Sequence, residues 1–491
     1  MPERLLTAAL AGCAALMGNH PDHVVVSSAR AVAPADNWLP TTQRGYAPRP
    51  VDAPLCRVEG TIEGNIGFEL WLPQQWNRRY LGAGVGGDAG VFNYADMSVR
   101  ANEGFAVAST DSGHKASEAN WMLDAKARTD YEHRAVHLTT LAARRLTEQF
   151  YEAPVSRAYF TGCSGGGRQA LKSLQTYPAD FDGVIAGAPG PNMPLQSVRM
   201  MWFSLMQKWQ PQAALLDADW ALYEQRVTLA CDAGDGLADG IVENPVACGF
   251  DVGTLQCTGS EAAGTCIPAI RLETLRTIVA PLRDAAGNAM DHGLFPGVRT
   301  RPGPPSPLLR AMWADAAYQD VNWDEDSFDR TRDLALINRV MPELRADRTS
   351  IAPFLRLGNK ALIYQGWADP STNAGPTIDY FSALARDNGG LDRLNQSVRL
   401  FMVPGMYHCR GGPGADNFGG SGQAAWPGDS SRDMLWSLIN WVEAGEAPAA
   451  ITATRMEGQA EQFTHRLCAF PASLRDGECV ADPVLERLMK R

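Results

Sequence analysis

Residues 162–168 read Gly-Cys-Ser-Gly-Gly-Gly-Arg and lie between an apolar run at 158–160 and a stretch of helical periodicity at 168–177. The segment fits the G-x-S-x-G pattern, in which a sharp strand-to-helix turn lifts the serine hydroxyl clear of a sheet. Small residues are needed on both sides of the serine because a longer side chain would clash in so tight a turn. The pattern makes Ser164 a candidate nucleophile, although on its own it also fits a glycine-rich turn without chemistry.

Short apolar runs alternate with helical segments on both sides of this turn, and residues 57–73 alternate as an antiparallel hairpin does. The runs lie at 105–109, 158–160, 184–186, 361–364 and 398–403. Strands that alternate with helices predict an α/β fold with a mostly parallel sheet covered on both faces. The rhythm stops between about 191 and 355. We therefore expect a catalytic domain formed by residues 1–190 and 356–491, with residues 191–355 inserted as a large lid domain.

A serine nucleophile needs a base that is itself oriented by a carboxylate. In α/β-hydrolases these groups follow the serine in the order acid, then histidine, on loops after late strands. Asp369 and His408 each lie a few residues beyond one of the late apolar runs, where sites of parallel sheets are found. Asp379 is a rival acid, but it lies within a helical segment. The expected catalytic residues are therefore Ser164, Asp369 and His408.

Attack on an ester would create an oxyanion, which backbone N–H groups stabilise. One donor should be the residue after the nucleophile, Gly165, and the other should come from the glycine-rich segment 82–90 after an early strand. Within that segment we expect the donor to be Gly84. The alternative interpretation of residues 82–90 is a flexible loop.

The composition excludes several classes of protein. The 491 residues carry a net charge of −11, so no basic surface favours nucleic acid as a partner. No run of about 18 apolar residues occurs, so no membrane span is expected. These observations favour an enzyme with a small-molecule substrate and leave the oligomeric state open.

The chain has ten cysteines, an even number, and no Cys-x-x-Cys pair. The spacing argues against zinc and thioredoxin-type sites. An even set of cysteines is typical of disulfide frameworks that form in oxidising compartments. We therefore expect a secreted or periplasmic protein with several disulfide bonds.

The N-terminal segment Leu10-Ala11-Gly12-Cys13 looks like a bacterial lipoprotein processing site. However, the charges of Glu3 and Arg4 before it cancel, whereas an export signal carries net positive charge there. We interpret residues 5–18 as an amphipathic helix of the mature protein, Cys13 as a disulfide partner, and the signal peptide as absent from this sequence. Lipidation of Cys13 is the alternative, and it would leave an odd number of cysteines.

Four segments together resemble the tannase and feruloyl esterase family, and the resemblance runs from Cys13 to Cys479. They are Thr-Asp-Ser-Gly-His at 110–114, Tyr-Phe-Thr-Gly-Cys-Ser-Gly-Gly-Gly-Arg at 159–168, Phe-Asp-Gly-Val-Ile-Ala-Gly-Ala-Pro at 181–189 and Val-Pro-Gly-Met-Tyr-His-Cys at 403–409. The resemblance implies an α/β-hydrolase core with a large lid and an acyl-enzyme mechanism without an organic cofactor. It also implies disulfide pairs, which are Cys13–Cys56, Cys163–Cys409, Cys231–Cys248, Cys257–Cys266 and Cys468–Cys479.

The resemblance implies hydrolysis of a small aromatic ester, with a hydroxycinnamate such as ferulate as the first choice of acyl group. Gallate esters, the substrates of tannases, are the alternative, and the half-ester mono(2-hydroxyethyl) terephthalate is a third. Gly165 stands where some relatives carry a carboxylate, which leaves the acid open. A different class is a calcium-stabilised protein that binds carbohydrate or a surface on a degenerate hydrolase core.

Residues 231–243 read Cys-Asp-Ala-Gly-Asp-Gly-Leu-Ala-Asp-Gly-Ile-Val-Glu. Such oxygen-rich loops suit hard cations, although a solvated acidic turn has the same composition. The resemblance implies a structural calcium ion in the lid. Its ligands would be the carboxylates and backbone carbonyls of Asp232, Asp235, Leu237, Asp239 and Ile241.

Overall fold

The computed structural model describes residues 12–259, 264–300 and 303–490. Ten strands form one large sheet: β1 (Gly18–His20), β2 (Val24–Val32), β3 (Leu55–Ile62), β4 (Ile66–Pro73), β5 (Arg79–Ala83), β6 (Ala106–Thr110), β7 (Arg157–Cys163), β8 (Gly183–Gly187), β9 (Lys360–Gly366) and β10 (Val398–Val403). Their order in the sheet is β1-β2-β3-β4-β6-β5-β7-β8-β9-β10. Two hairpins lie near the C-terminus, formed by β11 (Ala450–Glu457), β12 (Ala460–Cys468), β13 (Ala472–Arg475) and β14 (Glu478–Ala481).

The sheet has an antiparallel and a parallel part. Strands β1 to β4 pair antiparallel in chain order, and β4 pairs antiparallel with β6. From β6 onwards through β5, β7, β8, β9 and β10 every pairing is parallel. The predicted hairpin at 57–73 is present as β3 and β4, and the predicted α/β class is confirmed. The antiparallel part is larger than expected because β1 and β2 extend it.

The register of the parallel strands brings their carboxyl ends to one edge. Cys163 at the end of β7 pairs with Gly187 at the end of β8. Gly187 pairs in turn with Tyr364 on β9, and Gly366 pairs with Val403 at the end of β10. The loops after β7, β9 and β10 therefore leave the sheet side by side.

Helices cover both faces of the sheet and fill the segment between β8 and β9. The α-helices are α1 (Tyr94–Asn102), α2 (Ala125–Thr129), α3 (Ala135–Tyr151), α4 (Gly165–Thr176), α5 (Met193–Trp209), α6 (Asp217–Cys231), α7 (Ala269–Val279), α8 (Pro307–Ala311), α9 (Arg330–Val340), α10 (Ala352–Arg356), α11 (Ala374–Asp387), α12 (Leu391–Leu394), α13 (Met434–Ala444) and α14 (Pro483–Leu488). Two π-helical segments, Asp130–Arg134 and Met312–Ala317, continue α2 and α8. Single 3₁₀ turns lie at Ala14–Leu16, Pro34–Asp36, Trp121–Leu123, Pro211–Ala213, Asp232–Asp235, Pro245–Ala247, Val252–Leu255 and Glu325–Ser327. No helix of the described ranges has the length and apolar character that crossing a membrane requires.

Neighbouring residues on the parallel strands belong to opposite faces of the sheet. Phe160 and Ile363 pack in one core, with α3, α4 and α11. Tyr159 and Leu362 pack in the other, with α1 and α13. This alternation follows from the two-residue period of a strand and explains why the runs are apolar throughout.

The segment between β8 and β9 contributes most of a third hydrophobic cluster. Met201, Trp220, Leu275 and Trp313 are buried in it, together with side chains from the segments after β5 and β6, such as Val85 and Tyr131. Among the described residues the segment adds no strand to the sheet. We refer to residues 191–355 as the insertion. At the N-terminus, residues 5–11 of the expected helix lie outside the described residues.

Candidate active site

The turn between β7 and α4 holds Ser164 in a strained backbone conformation. Ser164 has a φ of 61°, which costs a non-glycine residue roughly 1–3 kcal/mol. The Ser164 N–H donates to the carbonyl of Gly187 on the neighbouring strand at 2.9 Å, which fixes the turn. The conformation is the one expected of a nucleophile elbow.

Close backbone contacts explain the glycines around Ser164. A Cβ on Gly162 would lie 2.6 Å from the carbonyl oxygen of Gly166, and a Cβ on Gly167 would lie 2.1 Å from that of Gly187. Real Cβ atoms are not found at such distances from backbone oxygens. The sharp turn and the tight docking of α4 on β8 therefore both require the missing side chains.

The loops after β9 and β10 bring Asp369 and His408 together. The Nδ1 atom of His408 lies 2.8 Å from Oδ2 of Asp369. The rival acid Asp379 is 54% exposed and pairs with His292 of the insertion at 2.9 Å. Among the predicted acids, Asp369 is therefore the one that contacts His408.

A set of hydrogen bonds holds the Asp369 carboxylate, which is fully buried. Its Oδ1 accepts the N–H groups of Ser371 and Thr372 at 2.8 and 2.9 Å. Its Oδ2 accepts the Thr372 hydroxyl at 2.7 Å and the Gln365 amide at 3.1 Å. These donors orient the carboxylate towards His408 and satisfy its remaining lone pairs.

Asp369 also tunes the basicity of His408. Burial alone would lower the pKa of His408, but the charge of Asp369 and the hydrogen bond to it outweigh burial and raise that pKa above its ordinary value. The imidazole is consequently a stronger base than a free histidine. Its Nδ1 faces Asp369, so Nε2 is the atom available for proton transfer.

Two cavities meet at Ser164 and His408. The first has a volume of about 430 Å³, and we call it the polar cavity. Its walls include Arg44, Tyr46, Asp88, Arg410 and Ser421. The second has a volume of about 210 Å³ and lies under the insertion, and we call it the apolar cavity. It is named for the long apolar side chains of its walls, which are Met193, Met200, Leu308 and Leu309; polar side chains, among them Arg168, Gln196 and Ser306, also line it.

The prediction that Gly84 donates to the oxyanion is wrong. Its N–H donates to the carbonyl of Thr161 at 2.8 Å, so it continues the pairing of β5 with β7 and has no hydrogen left for a ligand. Gly87, three residues further along, lines both cavities. Its backbone nitrogen lies 3.1 Å from the position that a Cβ on Gly165 would take.

Gly87 and Gly165 both offer a backbone N–H beside Ser164. In the described part of the chain the N–H of Gly87 forms no hydrogen bond. Gly165 is the first residue of α4, so its N–H has no acceptor within the helix. The helix N-terminus adds a favourable field for negative charge. Gly165 keeps its predicted role as a candidate donor, and Gly87 replaces Gly84.

The five disulfides of the structure join the pairs that the sequence resemblance implies. They are Cys13–Cys56, Cys163–Cys409, Cys231–Cys248, Cys257–Cys266 and Cys468–Cys479. The Cys163–Cys409 bond joins the neighbours of Ser164 and His408, with the two Cα atoms 6.0 Å apart. It therefore ties the turn after β7 to the loop after β10.

The carboxylates of the predicted calcium loop accept hydrogen bonds from the backbone of the same loop. Asp232 accepts the N–H groups of Gly240 and Ile241, and Asp235 accepts that of Leu237. Asp239 also accepts the N–H of Ile241. Across residues 12–259, 264–300 and 303–490, no three His, Cys, Asp or Glu side chains are arranged to hold a metal ion. The calcium site therefore stays a prediction.

Sequence reasoning missed several residues that shape the site. Thr372 and Gln365 flank Asp369 in the chain, and their hydrogen-bonding side chains are the signal that a search around the acid would have found. Tyr46 accepts the N–H of Gly86 at 2.7 Å, but it lies far upstream and has no local signal. The Tyr407 hydroxyl donates to Glu224 of the insertion at 2.6 Å, a contact that only the folded chain reveals.

A family model described as tannase and feruloyl esterase matches residues 51–301 and 306–477. A protein of Aspergillus flavus described as "Probable feruloyl esterase B-1" is 30% identical over 447 residues, which cover 88% of this chain and 85% of that protein. Feruloyl esterase C of Talaromyces stipitatus is 28% identical over 443 residues, covering 87% and 84%. These similarities extend over most of both chains.

Solved structures give the same result. The crystal structure of feruloyl esterase B from Aspergillus oryzae superposes with a TM-score of 0.89 at 26% identity, covering 97% of this chain and 100% of that one. Tannin acyl hydrolase from Aspergillus niger superposes with a TM-score of 0.75 at 21% identity, covering 99% and 96%, which shows a shared fold.

Proposed function

Because the chain belongs to the tannase and feruloyl esterase family, we propose that it hydrolyses esters of aromatic acids, with hydroxycinnamates such as ferulate as the preferred acyl group. The chain is a carboxylic ester hydrolase with an α/β-hydrolase fold. The observation that carries the proposal is the 2.8 Å contact between His408 and Asp369 beside the cavities that Ser164 also lines. A nucleophile, a base and an orienting acid then occupy the roles that acyl transfer needs.

Acylation begins when the Ser164 hydroxyl attacks the ester carbonyl. The hydroxyl proton passes to Nε2 of His408, and Asp369 stabilises the imidazolium through Nδ1. The carbonyl oxygen becomes an oxyanion that the N–H groups of Gly87 and Gly165 stabilise. The intermediate collapses as the imidazolium protonates the leaving alcohol, and an ester of Ser164 remains.

Deacylation repeats these steps with water as the nucleophile. His408 takes a proton from water as it attacks the acyl carbonyl, and the same N–H groups stabilise the second oxyanion. Collapse of this intermediate returns the proton to Ser164 and releases the carboxylic acid. The chain's own residues supply every proton acceptor and donor, so the proposed reaction needs no organic cofactor.

The shape of the apolar cavity favours an elongated acid. A further cavity of about 180 Å³ continues from it and shares several wall residues. The shared residues are Gln196, Met200, Ser306, Leu309 and Ser371. A planar hydroxycinnamoyl group would place its ring beyond the vinyl spacer, against apolar walls with hydroxyl and amide groups for the ring substituents. A galloyl group lacks the spacer and would leave the far part of this space unfilled.

We also place the enzyme outside the reducing cytosol. All ten cysteines form disulfides, and such frameworks persist in oxidising compartments.

Rates on methyl ferulate, methyl gallate and mono(2-hydroxyethyl) terephthalate test the proposal. We expect the highest kcat/KM for methyl ferulate. An aryl phosphonate should add its mass to the peptide that contains Ser164, and the Ser164→Ala variant should stay unlabelled. A protein that only binds carbohydrate or a surface would neither hydrolyse the esters nor react with the phosphonate. A higher kcat/KM for methyl gallate or mono(2-hydroxyethyl) terephthalate would show that ferulate is not the preferred acid.

A further inference from the structure

The polar cavity contains a guanidinium group that forms no ion pair with a carboxylate of the described residues. Arg410 is exposed and lies two residues after His408. Its Nη1 donates to the carbonyl of Gly422 at 3.0 Å. Within the described residues the Arg410 side chain forms no other hydrogen bond. A guanidinium has five N–H donors in a planar fork, so most of them remain free for a ligand in the cavity.

The other charged groups around this cavity already form an ion pair or hydrogen bonds. Arg44 forms an ion pair with Asp88. Asp96, which lies behind the cavity, accepts the Ser421 hydroxyl at 2.6 Å and the Gly422 N–H at 2.8 Å, and these neutral donors leave it with its negative charge. Among the described residues that line the cavity, Arg410 is therefore the guanidinium without an ion pair.

A phenol hydroxyl lies near the nucleophile in the same cavity. Oη of Tyr46 and Cβ of Ser164 lie 3.0 and 3.5 Å from the position that a Cβ on Gly86 would take. Tyr46 accepts the Gly86 N–H, so its own hydroxyl hydrogen is free to donate into the cavity. Burial raises the pKa of Tyr46, and the charges of Asp96 and Arg410 act on its hydroxyl in opposite directions. Tyr46 and Arg410 thus both present polar donors to this cavity.

We propose that the polar cavity binds the alcohol part of the ester and that Arg410 selects alcohols carrying a carboxylate, such as hydroxy acids or uronic acids. The proposal rests on the proposed esterase function, in which the aromatic acyl group occupies the apolar cavity. The leaving alcohol then projects into the other cavity that Ser164 and His408 share. A carboxylate there meets a planar guanidinium that can bind it through two N–H groups.

A carboxylate on the acid would be the competing interpretation of the same charge. It would require the acyl group to lie in the polar cavity and the alcohol to lie against Met193, Met200 and Leu309. An aromatic ring gains more from apolar walls than a polyol or hydroxy acid does, since burial of polar groups without partners is costly. The arrangement of the two cavities therefore favours the alcohol as the charged part.

A pair of matched substrates tests the proposal in the intact enzyme. The ferulate esters of 4-hydroxybutanoate and 4-hydroxybutanamide differ in charge but hardly in shape. We expect kcat/KM for the carboxylate ester to be about fivefold higher at low ionic strength, and the ratio to approach one in concentrated salt as the charges are screened. The same ratio is then measured for Arg410→Gln, Arg410→Lys and the distant surface control Arg386→Gln.

Each result decides for or against the role of Arg410. Arg410→Gln should bring the ratio to about one, Arg410→Lys should keep part of the preference, and Arg386→Gln should keep all of it. A wild-type ratio of about one, or an unchanged ratio in Arg410→Gln, would overturn the proposal. The proposal would also be overturned if Arg410 favoured a charged substrate only in the case of mono(2-hydroxyethyl) terephthalate, whose carboxylate is on the acid. If wild-type enzyme hydrolyses methyl ferulate while the ratio is one, this inference alone fails. If it hydrolyses no ester, the proposed function fails.

Discussion

Cys163 and Cys409 are joined by a disulfide with their Cα atoms 6.0 Å apart, and their chain neighbours are Ser164 and His408. The bond connects segments separated by 246 positions, so it closes nearly half of the chain. A cross-link of this kind restricts the unfolded chain and also limits how far the turn after β7 can move from the loop after β10.

Removal of the Cys163–Cys409 disulfide should lower activity by more than the accompanying loss of side-chain packing would. We expect Cys163→Ala combined with Cys409→Ala to lower kcat/KM about tenfold or more, because small displacements of a nucleophile from its base are costly. Unfolding free energy should also fall, by roughly 2–5 kcal/mol. The matched control is Cys257→Ala with Cys266→Ala, a pair remote from Ser164, which should keep its activity at 25 °C. Full activity of the first double variant would contradict the positioning role.

Substitution of each candidate acid should show whether Asp369 or Asp379 orients His408. Asp369→Asn leaves the shape of the side chain but cannot hold the imidazolium, so we expect kcat to fall about 10³- to 10⁴-fold. Asp379→Asn alters a half-exposed pair with His292 and should stay within about twofold of the wild type. Steady-state kinetics on methyl ferulate, with circular dichroism as a check on folding, measure both. Equal losses in the two variants would exclude the assignment.

The pH profile of kcat/KM should report the raised pKa of His408. The base must be neutral to accept the Ser164 proton, so activity is lost as pH falls through the pKa of His408. Because Asp369 raises that pKa, the acid limb of the profile should lie above the ordinary histidine value of 6.5. In Asp369→Asn the limb should move to lower pH. A wild-type limb below 6.5 would show that Asp369 does not dominate the electrostatics of the imidazole.

A transition-state analogue should identify the oxyanion donors. In crystals soaked with an aryl boronic acid, a boronate oxygen should lie within about 3.1 Å of the backbone nitrogens of Gly87 and Gly165. The nitrogen of Gly84 should keep its bond to Thr161. A boronate oxygen bonded to Gly84 instead would require β5 to release β7 and would restore the prediction from sequence.

The calcium prediction can be tested by metal removal. If residues 232–241 bind calcium, chelation should lower Tm by several degrees, while the initial rate at 25 °C changes by less than about twofold. Asp232→Asn should abolish the stabilisation by added calcium. Elemental analysis of the purified protein gives the stoichiometry, and the absence of bound calcium would remove the site.

The candidate catalytic residues and the parallel strands were predictable from sequence because their signals are local. Ser164 lies in a turn that only small neighbours allow, and Asp369 and His408 follow apolar runs that could only be buried strands. The antiparallel strands β1 and β2 were not predicted, since the three residues of β1 are not buried and the alternation of β2 is interrupted by a register shift between Val26 and Ser28. Gly84 was chosen wrongly because one glycine of a run cannot be told from another until its hydrogen bond is known.

The sequence by itself determined the candidate nucleophile, base and acid, because each is marked by short-range pattern and by its place after a strand. The tertiary structure decided which N–H groups near Ser164 remain free, where the two cavities beside Ser164 lie, and which cation of their walls forms no ion pair within the described residues. Gly87, Tyr46 and Arg410 come from three separate loops. Their proximity depends on the register of the sheet and on the bond between Cys163 and Cys409. The local sequence around any one residue specifies neither of them.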